Sequence, residues 1–375
     1  MLGNQQFSGE HNPLATSSET TAKGKRVRES GPEMLRLVAM FMILLLHANF
    51  RAFGVPETAT LDTGGVVRVL AEQICIVSVC CFVLISGWFG IRPSVKSIGG
   101  LLTQVFTYMA LFTAILCVCY HQLIVDYIIQ TILVGYSYWF IGAYLTLCAL
   151  APALNAFIEK ASRRELKLTI IFFYAALFMY GWLWEDAIGV VRGYSAIAFI
   201  GLYLLARYLK IYRPSFTLHS PRYYLVWFVS LSAISVIGVI AYNVVMHTES
   251  IPWPNYIQPW VIVCSVALTL AFVQMHWQSR TVNWLASSSL AVYLIHCHPA
   301  LLPQYSKAVI ALYDWTVSVC HCENVLTQEA IYALLLLVGL LALMLVCILI
   351  DKLRLRLTPT ERITNALQRA LQCIK

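Results

Sequence analysis

The sequence predicts an all-α, polytopic membrane protein of about ten transmembrane helices with both termini in the cytoplasm. Three observations carry this reading. Of 375 residues, 59% are hydrophobic and only 12% are charged, whereas a soluble domain carries about 25% charged residues. Apolar runs of about 20 residues, the length a helix needs to cross a bilayer, recur from Glu33 to Ile350 with little polar chain between them. Finally, the basic residues are lopsided. When the runs are threaded alternately through a bilayer, 21 of the 26 Lys and Arg fall on one side, and only Arg51, Arg68, Arg192 and Lys307 on the other, with Arg36 inside the first run. Such an excess marks the cytoplasmic side. Water-soluble globular, nucleic-acid-binding and fibrous classes are excluded, and the net charge of +8 is an anchor on a lipid bilayer.

Taken in order, residues 1–28 are polar and Ser/Thr-rich, then basic at Lys23, Lys25, Arg26 and Arg28. No apolar core precedes that cluster, so no cleavable signal peptide is expected and the tail reads as disordered and cytoplasmic. A membrane domain over 29–351 holds apolar segments at 33–53, 66–91, 98–120, 138–158, 168–185, 194–210, 223–247, 257–277, 284–305 and 330–350. The stretch 122–135 is shorter and interrupted by Asp126, so it reads as interfacial or re-entrant. Counting it as a crossing would destroy the charge asymmetry. Residues 352–375 form a basic cytoplasmic tail. There is no internal repeat and no inverted pair of broken helices of the kind found in many transporters.

Most of the twelve Cys lie within apolar runs, where they behave as small hydrophobes. Cys320 and Cys322 flank His321, but three consecutive residues cannot encircle an ion without other donors, so no metal is expected there. Trp182, Trp184, Trp253, Tyr256, Trp260 and Trp277 mark segment ends and read as an interfacial belt. Glu185, Asp186 and Arg192 read as a solvated turn.

Ionisable groups inside a span are costly and therefore candidates for function. The first span carries Glu33 and Arg36 at i, i+3, on one face, and His47 eleven residues beyond Arg36. Eleven residues are about three turns, which puts Arg36 and His47 on nearly one stripe, roughly 16 Å apart. Imidazole serves as a general base near neutrality, and guanidinium grips phosphate through a planar fork. The second span closes on Ser86-Gly87, which permits close helix approach, and is followed by Arg92. Tyr138-Trp139-Phe140 and Tyr144 open the fourth span; they read as a belt or as a row on which a sugar ring stacks, and spacing alone favours the belt. In the ninth segment His296 and His298 lie two apart and point in different directions, so they are not expected to share a metal. Pro299 and Pro303 are expected to bend that helix, freeing carbonyls that a histidine could satisfy.

Together these motifs resemble the acyltransferase 3 family of integral-membrane acyltransferases. Glu33-Met-Leu-Arg36, ten residues, then His47 resembles the family's arginine-x10-histidine pattern. Phe82-Val-Leu-Ile-Ser-Gly-Trp-Phe89 resembles its following glycine-containing motif, Tyr138-Trp139-Phe140 its aromatic segment, and Ser288-Ser289-Leu-Ala-Val-Tyr293-Leu-Ile-His296 its penultimate-helix signature. Tyr138 stands where histidine is common in the family. The resemblance runs from about residue 29 to 350.

The resemblance implies O-acyl transfer, usually of acetyl, from a cytoplasmic acyl-CoA to a hydroxyl of a cell-envelope or lipid-linked saccharide, in a bacterial cytoplasmic membrane. Acetyl-CoA is then a consumed donor, and no cofactor is permanently bound. By position, His47 is the catalytic histidine and Arg36 its paired arginine, with Glu33 orienting Arg36. Arg36 and Arg92 are the expected CoA-binding cations, and Ser86, Trp139, Tyr144 and His296 the expected substrate contacts. Many members carry a further soluble domain, so other envelope-synthesis proteins are expected partners. The competing reading is a transporter or flippase for a lipid-linked saccharide, with Arg36, His47 and His296 lining a polar path. A scaffold within an envelope-synthesis complex is the third.

Overall fold

Long apolar runs with few turn residues leave the backbone one way to satisfy its polar groups in lipid, which is to form helix. The structure, a computed structural model, describes residues 29–121, 124–133, 138–184, 186–319 and 325–358. The chain enters α1 (Ser30–Ala48) and a single turn α2 (Phe50–Phe53), then α3 (Thr63–Cys75), α4 (Ser78–Phe89) and α5 (Val95–Cys119). The short α6 (Val125–Ile132) precedes α7 (Trp139–Lys160) and α8 (Arg163–Ala176), which continues into a π-helical turn over Leu177–Leu183. There follow α9 (Ala196–Tyr212), α10 (Pro221–Met246), α11 (Pro259–Val273), α12 (Arg280–Ala286), α13 (Ser289–His296), α14 (Leu302–Val319) and α15 (Val325–Leu357). Among the described residues there is no strand, only an isolated bridge between Glu57 and Ser250.

Helix starts follow their sequence signals. Ser94 and Ser97 form a reciprocal cap on α5, Ser162 and Glu165 on α8, and Pro221 opens α10 behind Ser220. Among the described residues, seven helices or collinear pairs are long and apolar enough to cross a membrane: Ser30–Phe53, Thr63–Phe89, Val95–Cys119, Trp139–Lys160, Arg163–Leu183, Pro221–Met246 and Leu326–Leu357. The chain is thus an all-α polytopic membrane protein. α9 and α11 are apolar but shorter, at 17 and 15 residues. The eight residues of α6 extend only about 12 Å, too short to cross, and α6 lies against α5 through a Thr113–Thr131 hydroxyl contact of 3.1 Å.

One segment departs from expectation. Residues 284–305 are not a single bent span: α12 stops at Ala286, α13 stops at His296, and the chain leaves helix before α14 begins at Leu302. Pro303 sits in the first turn of α14, where its missing N–H costs nothing. The break therefore falls at Cys297–Leu301, immediately after His296, rather than at the prolines alone.

α1 is the enclosed centre of the bundle and touches α3, α4, α11, α12, α13, α14 and α15. By contrast α5, α10 and α15 turn Phe106, Ile115, Val229, Ile237, Leu334 and Leu345 outward, as a lipid-facing surface requires. Gly87 lets α4 lie against α9: a Cβ there would come within 2.7 Å of Ala206 Cβ and 3.0 Å of the Tyr203 carbonyl oxygen. Without a hydrophobic drive between helices in lipid, such close packing is a main source of association. α15 is tied to α5 by buried Asp351, which accepts from Tyr108 (2.8 Å) and Gln104 (3.2 Å) while pairing with Arg354 (2.8 Å).

Candidate active site

Three of the expected residues ride on α1. Because Ser30–Ala48 is one unbroken helix, Arg36 and His47 face nearly the same side, about 16 Å apart along the axis. Arg36 pairs with buried Glu33 one turn earlier. The helix stops two residues after His47, where Asn49 leaves helical geometry (φ −102°, ψ −107°). Its amide is fixed in place: Nδ2 donates to the Arg68 carbonyl (2.7 Å) and to Glu72 Oε2 (2.9 Å), and Oδ1 accepts from Arg68 Nε (3.2 Å).

The break after α13 brings a second imidazole to the first. His296 Nε2 lies 3.0 Å from His47 Nδ1, and its own Nδ1 lies 2.5 Å from the Val292 carbonyl oxygen. A carbonyl only accepts, so His296 Nδ1 carries the proton and, with the ring uncharged, Nε2 presents a lone pair. His47 Nδ1 must then donate to it, which leaves the lone pair of His47 on Nε2. One ring thus sets the tautomer of the other, as a carboxylate does in hydrolytic triads. Tyr305 steadies the pair: its hydroxyl donates to the Leu44 carbonyl (2.6 Å) and its ring lies 5.9 Å from that of His296.

His47 opens on a cavity of about 250 Å³. Its walls are aromatic, with Phe82, Trp139, Phe140, Tyr194, Trp253, Tyr256 and Tyr293, and two charged side chains, Arg51 and Glu72, line it as well. The cavity lies at the end of the bundle where α1 stops and α7 begins. Trp139 packs 4.5 Å from Tyr194 and stacks 5.8 Å from Tyr256, ring centre to ring centre. An apolar pocket with a few convergent polar groups is the usual form of a small-molecule site.

The structure brings His47 and Trp139 to this cavity, sets His296 behind His47 as its hydrogen-bond partner, and leaves the other expected residues elsewhere. Ser86 and Tyr144 meet each other (3.3 Å) and do not line it; Ser86 donates to the Phe82 carbonyl (2.9 Å). Glu33 and Arg36 lie below it on α1, and Arg92 is exposed in the loop after α4. Tyr138 is fully buried and donates to the Leu294 carbonyl (2.6 Å), a packing role. His298 turns away from His296 toward Phe112 (5.4 Å) and Tyr127 (6.2 Å), consistent with their i, i+2 spacing. Trp253 and Tyr256, read from sequence as belt residues, instead face the cavity, as does Trp139. Cys320, His321, Cys322 and Glu185 lie outside the described residues.

Sequence reasoning missed Asn49, Arg51, Glu72 and Cys297. Asn49 and Arg51 follow His47 so closely that they read as span-end polar residues. Glu72 had a detectable signal, an acid inside the run 66–91. It is 3% exposed, and a carboxylate is rarely buried so fully unless it is paired. Cys297 sits between two histidines at a helix break; nothing in its spacing says that its thiol reaches His47.

Comparison with known proteins gives one result. A family model described as an acyltransferase domain matches residues 29–355, close to the range on which the sequence motifs fall. No curated protein and no solved structure matches the chain.

Proposed function

The chain belongs to that acyltransferase family, and from this premise we propose that it moves a short acyl group, acetyl in the first instance, from cytoplasmic acyl-CoA to a hydroxyl of an envelope or lipid-linked saccharide. The single observation that supports this most is the His47–His296 pair on a cavity walled by aromatic rings. Sugars offer CH faces to such rings and hydroxyls to an imidazole base. The charge asymmetry of the sequence supports an orientation with the cavity end of α1 toward the outer side and Arg36 toward the cytoplasm. The acceptor then enters from outside, and the donor's phosphates dock near Arg36 with Arg92 at the membrane surface.

In this reading His47 Nε2 takes the proton of the acceptor hydroxyl as its oxygen attacks the thioester carbonyl carbon. The tetrahedral intermediate collapses with cleavage of the carbon–sulfur bond. The CoA sulfur leaves and recovers the proton from His47, so the enzyme ends as it began. His296 holds Nδ1 of His47 throughout and keeps the base in the correct tautomer, a positioning role. The enclosed aromatic walls limit wasteful hydrolysis of the thioester.

The test is transfer from labelled acetyl-CoA in membranes containing the wild type or His47→Ala. Label in envelope saccharide with the wild type alone, at equal protein level, is the expected result. Equal labelling with His47→Ala removes the histidine from the reaction. No labelling by either, with acyl-CoA binding also undetectable, overturns the acyltransferase reading and moves it to saccharide transport.

A further inference from the structure

The Cys297 thiol completes a triangle with the two imidazoles. Cys297 Sγ lies 3.2 Å from His296 Nε2 and 3.6 Å from His47 Nδ1, and those two nitrogens lie 3.0 Å apart. Zinc bonds to nitrogen at about 2.0–2.1 Å and to sulfur at about 2.3 Å in a tetrahedron, so its ligand edges are about 3.3 Å for N···N and about 3.6 Å for N···S. The three atoms therefore already sit within a few tenths of an ångström of the edges of a tetrahedral face. The second shell agrees. His296 donates its other nitrogen to the Val292 carbonyl, the arrangement that fixes a metal-binding histidine with its lone pair forward. His47 and Cys297 both line the cavity, which leaves room for water at a fourth position.

We propose that His47, His296 and Cys297 form a binding site for a borderline-soft transition metal ion, of which zinc is the representative, and that its occupation switches acyl transfer off. Two imidazoles and a thiolate favour zinc or copper over magnesium or calcium, which require oxygen ligands. The proton balance explains the switch. Without metal, His47 carries its proton on Nδ1 and the lone pair on Nε2. A metal ion at Nδ1 requires a lone pair there, so that proton moves to Nε2 and the base is consumed. Cys297 gives up its thiol proton to solvent as the metal–sulfur bond forms, so binding releases one proton overall and strengthens with rising pH. The inhibitory half of the proposal rests on the acyltransferase reading; the binding half does not.

The experiment uses the full chain in detergent micelles, stripped with a chelator, and titrated with zinc against a chromophoric competitor and separately with cobalt. The wild type is expected to take one equivalent of zinc and to show a thiolate-to-cobalt charge-transfer band in the near ultraviolet. Cys297→Ser should lose the band and weaken zinc binding at least 100-fold. Whatever its rate of transfer in metal-free buffer, that rate should no longer fall when zinc is added. Cys297→Ala serves as the second variant and should behave in the same way. The absence of zinc binding by the wild type, or zinc binding and a charge-transfer band that persist in both Cys297 variants, as a site at Cys320–Cys322 would give, overturns the proposal. So does zinc inhibition that is equal in wild type and variants. Metal binding with no transfer under any condition would count against the acyltransferase reading and leave the metal site standing.

Discussion

Nδ1 of His47 and Nε2 of His296 lie 3.0 Å apart although 249 residues separate them in the chain. The contact exists because two helices end at the same level: α1 two residues after His47 at Asn49, and α13 at His296 itself. This predicts that His296 acts on rate and not on substrate affinity. His296→Ala should lower kcat roughly 100-fold, toward the lower range for loss of acid–base assistance, with both KM values within a few-fold of wild type. His296→Gln, whose side-chain carbonyl can accept from His47 Nδ1, should recover part of that loss. Steady-state transfer from labelled acyl-CoA checks this, and an unchanged kcat in His296→Ala would refute the positioning role.

Trp139 packs against both Tyr194 and Tyr256 on the cavity wall. Loss of an aromatic contact is worth about 0.5–1.5 kcal/mol. Trp139→Ala should therefore raise KM for the saccharide acceptor by roughly two- to tenfold while leaving KM for acyl-CoA unchanged, and Trp139→Phe should restore much of it. Equal changes in both KM values would mean that the ring supports the fold and not the acceptor.

Arg36 is expected to report on the donor alone. A charge-assisted hydrogen bond contributes about 1.5–3 kcal/mol, so Arg36→Ala should raise KM for acyl-CoA by roughly 10- to 100-fold. Arg36→Lys should fall between, because an ammonium lacks the planar fork of guanidinium. Glu33→Gln, which keeps a hydrogen-bond acceptor for Arg36, should have a smaller effect. Binding of a non-hydrolysable acyl-CoA analogue to the purified protein measures each directly.

Gly87 predicts a purely structural effect. Its hypothetical Cβ meets Ala206 Cβ at 2.7 Å, so Gly87→Ala should cost about 1–3 kcal/mol by overpacking and lower the thermal midpoint in detergent. Ala206→Gly in the same chain should return part of the loss. Additive destabilisation by the two substitutions would show that α4 and α9 do not meet there.

Much of the fold was legible because lipid makes one demand on the backbone and leaves long apolar runs in the sequence. α1, α5 and α10 read directly from run length, and α6 from its shortness and Asp126. The broken ninth segment was not legible in detail: Pro299 and Pro303 signal a bend, but whether the chain breaks before or at them depends on packing against α1. The site was half legible. Arg36 and His47 announce themselves as ionisable groups inside a span on one helical stripe. The partnership of His47 with His296 and Cys297 is tertiary, and no local spacing encodes it. Trp253 and Tyr256 were misread for a related reason, since an aromatic at a span end looks the same in sequence whether it faces headgroups or a cavity.

The continuity of α1 between Arg36 and His47 has a consequence for donor choice. In the proposed reaction the phosphates are anchored at one point on a rigid rod and the carbonyl is consumed at another, about 16 Å away along its axis. The helix is then a ruler. It accepts donors that carry a long flexible arm between phosphate and thioester, as acyl-CoA does. An acyl phosphate, whose acyl carbon is one oxygen from phosphorus, cannot touch both marks at once. Inserting or deleting a full turn between Arg36 and His47 would keep the stripe and change only the length measured.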